Sequence, residues 1–196
     1  WPLQNVSRVT VISLETQRQL IKEVNFPVDR IHVIPVSVSP LFVPVEATFR
    51  SDCPRILQVG TKANKNVPRL VQALQGLPCH LDLVGPISDS LTNLLNACQI
   101  QYTAWGRLTD EQLVERYQQA DIIAFVSTHE GFGMPIVEAQ CVERVCVTSN
   151  CSSMPEVAGD AAFLIEPNNV AQLAHAIDSV LTGATRAADL RARGLN

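Results

Sequence analysis

The chain lacks several things that would point to common functions. It has no unbroken apolar run near the roughly 20 residues needed to cross a bilayer, and no cluster of Lys and Arg. Its net charge of −4 argues against nucleic acid as the main partner. The P-loop spacing G-x-x-x-x-G-K-[ST], the dinucleotide fingerprint G-x-G-x-x-G, a D-x-D pair and the G-x-S-x-G elbow are all absent. Its four histidines (His32, His80, His129, His175) are scattered, so no metal site is expected. The six cysteines form no C-x-x-C pair. They read as small buried hydrophobes in a reducing compartment rather than as a disulfide scaffold.

What is present suits a packed domain. Of 196 residues, 46% are hydrophobic and 17% charged, enough to bury a core. Short β-branched runs alternate with amphipathic helical patterns, which predicts βα units and a mainly parallel sheet. Strands are expected at 55–60, 80–84, 100–103, 121–126, 145–148 and 161–165. Between them, Val67, Leu70, Val71 and Leu74 give one helical stripe, Leu91, Leu94, Leu95 and Cys98 another, and Val170, Leu173, Ala174, Ile177 and Leu181 a last one. Thr109-Asp110-Glu111 reads as a capped helix start. Six such repeats make a Rossmann-like, doubly wound α/β domain.

Residues 1–51 read differently, with a strand at 9–13, a helix at 16–24 and a strand at 30–34, followed by Pro35, Pro40 and Pro44. The expected division is 1–51 as the end of a preceding domain plus linker, 52–183 as the main domain, and 184–196 as the start of a cut-off helical segment. The ends at Trp1-Pro2 and Gly194-Leu195-Asn196 look like those of a piece from a longer protein.

Doubly wound sheets bind ligands beyond the carboxyl ends of their strands, and two loops there have unusual composition. In Ser127-Thr128-His129-Glu130-Gly131-Phe132-Gly133-Met134-Pro135, two glycines allow close backbone approach, and Pro135 sets a helix start with free amides. Such a surface suits phosphate oxygens and sugar hydroxyls. Glu138 can accept hydrogen bonds from a vicinal diol such as a ribose, and Glu130 can hold hydroxyls of a second ring. The same residues also read as an ordinary tight turn and a helix-starting acid. The other loop, Gly60-Thr61-Lys62-Ala63-Asn64-Lys65-Asn66, supplies cations for a diphosphate, Lys65 foremost and Lys62 beside it. A solvated polar loop is the ordinary alternative. His129 reads as a bystander.

Taken in order, the motifs resemble a known family. They are the strand-Gly with Lys65-Asn66, Leu83-Val84-Gly85, Trp105-Gly106-Arg107-Leu108-Thr109-Asp110-Glu111-Gln112-Leu113 and Tyr117-x-x-Ala120-Asp121. Glu130-Gly131-Phe132-Gly133-Met134-Pro135-x-x-Glu138-Ala139 and Met154-Pro155-Glu156-Val157-Ala158-Gly159-Asp160 follow. Over about residues 5–183 the chain resembles the C-terminal, donor-binding domain of family-4 (group 1) glycosyltransferases of the GT-B fold. The resemblance implies a retaining, metal-independent hexosyltransferase that needs no cofactor and takes a nucleotide-diphosphate sugar as donor. In it Glu138 binds the ribose, and Glu130 lies by the donor sugar. Amides around Gly131, Phe132, Gly133 and Met134 meet the sugar, and Lys65 contacts the diphosphate beside Gly60, Thr61 and Lys62. The acceptor, a saccharide or lipid-linked one, would sit on an N-terminal domain, and this fragment alone would be inactive. A cytoplasmic site is implied, with a peripheral membrane contact through another domain left open.

This sequence departs from the family pattern in three places. Thr61 replaces an arginine in a shorter loop, Glu143 and Val145 stand where Gly-x-Pro is common, and the N-terminal domain's sugar-site histidine is missing. Two other readings share the fold, a sugar-nucleotide epimerase and a non-catalytic nucleotide-sugar-binding module.

Overall fold

The computed structural model describes residues 2–46 and 48–183. The expected segment at 184–196 lies outside the described residues. The main domain is a six-stranded, all-parallel sheet. Its strands are β3 (Arg55–Val59), β4 (His80–Val84), β5 (Gln101–Trp105), β6 (Ile122–Phe125), β7 (Val145–Ser149) and β8 (Ala162–Ile165). They lie in the order β5-β4-β3-β6-β7-β8. The chain starts in the middle, winds out to one edge, returns, and winds out to the other. This is the doubly wound Rossmann-like arrangement expected from the alternating pattern.

The helices α2 (Val67–Leu74), α3 (Asp89–Ala97) and α7 (Val170–Thr182) cover one face, and α4 (Asp110–Gln119), α5 (Met134–Cys141) and α6 (Met154–Ala158) cover the other. Successive strand residues alternate between the two cores. Ile56 and Ile122 join Leu70, Leu74, Leu173 and Ile177, whereas Leu57 and Ile123 join Tyr117, Ile136 and Met154. All residues of β6 and β7 are buried, which explains their near-continuous apolar sequence. The Thr109 start of α4 is a full capping box, with Gln112 returning the hydrogen bond.

An earlier unit stands on its own small sheet. β1 (Val9–Val11) and β2 (Ile31–Val33) pair in parallel through α1 (Leu14–Val24), around Val11, Phe26 and Ile31. Helix α1 begins two residues earlier than the apolar pattern suggests, because Ser13 caps it by accepting from the Thr16 amide. The following residues carry no regular element and run against the main domain. Gln118 holds the Val43 carbonyl, and Asp121 accepts from the Arg50 amide and guanidinium and from the Arg55 amide.

Two sequence expectations need correction. Helix α6 stands where the sequence pattern shows only a connection between strands, since five residues are too few to show a period. Cys79, Cys98 and Cys146 are buried as expected, but Cys53 is exposed in the bends before β3. No helix among the described residues is long and apolar enough to cross a membrane.

Candidate functional site

The chain reverses direction across the sheet between β3 and β6, and there the two loops singled out by composition meet. The β3–β6 ladder pairs only Ile56 and Leu57, so beyond it the strands part and leave carbonyls without a ladder partner. The buried Gln58 fills part of this opening, donating to the carbonyls of Val59 and Gly60 at 3.1 and 3.0 Å. Gly60 follows with a φ of 88°. A Cβ there would come within 3.0 Å of Lys65 Cε, so glycine is what lets the lysine stem lie across the strand end.

Lys65 and Glu130, 65 positions apart, form an ion pair of 2.6 Å, with side chains only 18% and 16% exposed. The Lys65 ammonium also sits 4.6 Å from the centre of the Phe125 ring. Asn64 donates to the same Glu130 oxygen and to the His129 carbonyl, and its own carbonyl accepts from the Thr128 amide. Asn66, buried and left-handed at φ 59°, donates to the carbonyls of Val126 and Pro167, tying the two loops to the start of α7. Thr61 turns away to the Pro86 carbonyl, and Lys62 is exposed at the start of its turn. Of the proposed cations, only Lys65 points into the opening between the loops.

The second loop presents its amides in a fixed way. The peptide group is planar, so a carbonyl's direction sets that of the next residue's N–H. The Glu130 carbonyl accepts from Ser152 Oγ (2.6 Å) and Ser153 Oγ (3.0 Å), and the Phe132 carbonyl from Ser153 Oγ (2.8 Å). The Gly131 carbonyl accepts from Ser13 Oγ (2.7 Å) and Thr16 Oγ1 (3.1 Å). Gly133, at φ 113°, is the cap position of α5 and supplies no side chain to its amides. A Cβ on it would press within 3.1 Å of Ile136 Cδ1. The Thr128 and Glu130 amides are taken by the Asn64 carbonyl and Ser152 Oγ, so the N–H groups of residues 131–134 and the positive end of α5 are what the loop offers to an anion or hydroxyls.

Glu138, one turn along α5, is half-buried. The hydroxyl of Tyr117, a wholly buried residue, donates to its Oε2. Burial pushes the Glu138 carboxyl up and the Tyr117 hydrogen bond opposes this; nearby Asp110 raises it further and Lys65 lowers it. The same burial, with Glu138 beside it, pushes the Tyr117 phenol well up, so that it stays a donor. Phe42, from the stretch before β3, packs edge-on against the Tyr117 ring at 5.2 Å. Tyr117, the serines and Ser13 were not foreseen as site residues. Tyr117 had a signal in its Tyr-x-x-Ala-Asp motif, whereas isolated hydroxyls had none.

His129 is exposed, with Ser152 Oγ 3.5 Å from its Nδ1. Among the described residues no group of three His, Cys, Asp or Glu side chains could hold a metal ion. A separate open cavity of about 600 Å³ lies near the starts of β3 to β5, lined by Cys53, Gly76, Cys79 and Cys98 among others. It faces away from the helix N-termini, and Asp52 is the one charged residue in its lining.

The chain is similar to several known proteins. It is 30% identical over 91% of its length to O-antigen chain mannosyltransferase B of Escherichia coli, and spans about half (52%) of that protein. Its fold superposes on sucrose-phosphate synthase of Thermosynechococcus elongatus with a TM-score of 0.85 at 23% identity, covering 98% of this chain and 53% of that one. It superposes on Anabaena HepE, solved with UDP and glucose, with a TM-score of 0.84 at 19% identity, covering 96% and 58%. Residues 45–196 match the model of the family described as glycosyl transferases group 1. The family match covers most of the chain and the parallel sheet agrees with it, and the chain belongs to the group 1 glycosyl transferases.

Proposed function

We propose that this chain is the donor-binding half of a retaining, metal-independent hexosyltransferase. In this reading a hexose passes from a nucleotide-diphosphate sugar to an acceptor hydroxyl in glycan or polysaccharide biosynthesis. Mannose is the hexose for which the 30%-identical relative is named. The observation that carries the reading is the convergence of Lys65, Glu130, Glu138 and the ring of loop amides at one strand crossover. Residues 1–51 then belong to the preceding domain and its linker, and 52–183 form the donor domain. The acceptor sits on a part that the relatives carry beyond the matched half.

Each group has a role that its chemistry suits. Glu138, held as an acceptor by Tyr117, takes hydrogen bonds from the ribose diol. The amides of Phe132, Gly133 and Met134 take sugar hydroxyls, and Glu130 takes another. Gly60 lets Lys65 reach the diphosphate. Charge grows on that diphosphate as the glycosidic bond breaks, and Lys65 with the N-terminus of α5 stabilises it. Attack on the face from which the nucleotide leaves keeps the anomeric configuration and requires no protein nucleophile. Glu130 pairs with Lys65, so donor binding exchanges one anionic partner of the lysine for another.

Turnover of GDP-mannose and UDP-glucose by the full-length protein, followed by NMR of the product anomer with and without EDTA, tests the reading. An α-linked product from an α-linked donor, formed equally well in EDTA, is expected. An inverted anomer, or release of an epimerised free nucleotide sugar, would refute it.

A further inference from the structure

The β1–α1–β2 unit reaches the donor loop at one place. Ser13, 1% exposed, donates from Oγ to the Gly131 carbonyl, and Thr16 Oγ1 donates to the same oxygen. The two hydroxyls lie 2.8 Å from each other, and Ser13 Oγ also accepts from the Thr16 amide. From the main domain, the carboxylate of Glu156 accepts from the Leu14 amide at 2.7 Å and the Glu15 amide at 3.1 Å. The first amides of α1 are thus met by Glu156 and Ser13 together, and an anion sits where the helix dipole favours one. Ile12 packs 3.5 Å from where a Cβ on Gly131 would be, closing the contact.

These bonds have a consequence for one peptide group. The carbonyl of Gly131 and the N–H of Phe132 belong to the same plane, so holding the oxygen aims the N–H. The neighbouring planes are held from within the main domain, by Ser152 and Ser153. The Phe132 amide alone takes its direction from α1, 118 positions away in the chain.

We propose that Ser13, Thr16 and Glu156 form a clasp through which the β1–α1–β2 unit aims the Phe132 amide at the sugar of the donor. They are positioning residues, and the clasp rests on the donor-site reading above. It makes sugar recognition, but not nucleotide recognition, depend on how the earlier unit sits against the sheet. Nucleotide contacts come from Glu138 and Lys65, which do not touch α1.

The test is a comparison of two ligands on the full chain. Calorimetry with GDP and GDP-mannose, and with UDP and UDP-glucose, is run on wild type, Ser13→Ala/Thr16→Val and Glu156→Gln. Loss of one aimed hydrogen bond weakens the nucleotide sugar by about ten-fold and leaves the bare diphosphate within about two-fold. Thr16→Ser, which keeps the hydroxyl, retains wild-type binding of both. Equal weakening of both ligands in the variants, or no weakening of either, overturns the clasp while leaving the donor site standing. Failure of the wild type to bind any of the four overturns both.

Discussion

Two ion pairs, one on the sheet and one on the loops beyond its strand ends, differ in what they leave over. Arg55 and Asp82 meet in a fork, Nε to Oδ2 at 2.8 Å and Nη2 to Oδ1 at 2.7 Å, and the Trp105 indole donates to Oδ1 at 2.8 Å. Asp82 is buried, and its presence raises the Arg55 guanidinium above its ordinary value through that hydrogen bonding. Both carboxylate oxygens are taken by protein, and Arg116 stacks 4.4 Å over the same Trp105 ring. Lys65 and Glu130 are just as close, but their partners crowd onto one carboxylate oxygen, Oε1. An ammonium has three donors and a carboxylate two oxygens, so this pair keeps capacity for a ligand. A short distance marks a charge pair, and the unspent valences mark a site.

The contrast can be broken by substitution. Asp82→Ala leaves the half-buried Arg55 guanidinium and the Trp105 indole without their acceptor and is expected to cost about 1.5–3 kcal/mol of stability in urea denaturation. Under conditions where that variant is folded, nucleotide affinity stays as in wild type; a loss of binding there would place Asp82 in the site. Lys65→Met does the reverse. It changes stability in urea denaturation by about 1 kcal/mol, since Glu130 keeps its hydrogen bond from Asn64 when the ammonium is gone. It lowers turnover of the full-length protein by about 10²–10³. Wild-type turnover in that variant would reduce Lys65 to a surface pair.

Tyr117→Phe gives the smallest and most pointed effect. The Glu138 carboxyl is raised by burial and brought part of the way back by the Tyr117 hydroxyl, with Asp110 and Lys65 acting in opposite directions. A ribose diol needs the carboxylate, so affinity is lost as pH falls through the Glu138 pKa. Removing the hydroxyl raises that pKa further, and the loss then begins at higher pH. The expected change is about two- to ten-fold at neutral pH, with the midpoint of affinity against pH displaced upward. A uniform loss at every pH would show that Tyr117 serves only as packing beneath α5.

The same contrast explains how much of the molecule was legible in its residues. The sheet was readable because β6 is apolar throughout, β7 is apolar over Val145 to Val147, and α2 and α7 carry continuous stripes, all properties of neighbouring residues. The strand limits slipped by one or two positions, as at β5, where Gln101 to Trp105 replaces the expected 100–103. Gly60, Gly133 and Lys65 stood out because glycines in strand-to-helix loops let the backbone approach a ligand and a lysine there can meet a diphosphate. What could not be read is every contact whose partners are far apart in sequence and individually ordinary. Ser13 resembles any helix cap, and only folding brings it to Gly131. Tyr117 resembles a core aromatic until its hydroxyl is found on Glu138. Arg55 and Asp82 carried no motif at all. Lys62 was legible as a cation beside Lys65, but periodicity cannot tell which of two loop lysines turns inward.

The central claim is that the crossover between β3 and β6 holds a nucleotide-diphosphate sugar, and titration calorimetry tests it most directly. UDP, GDP and ADP, each free and as its hexose conjugate, are titrated into the wild-type chain and Glu138→Ala. The account predicts one-to-one binding of one nucleotide and its sugar, lost in Glu138→Ala with the fold intact. Absence of binding by all six, or undiminished binding by Glu138→Ala, would contradict it.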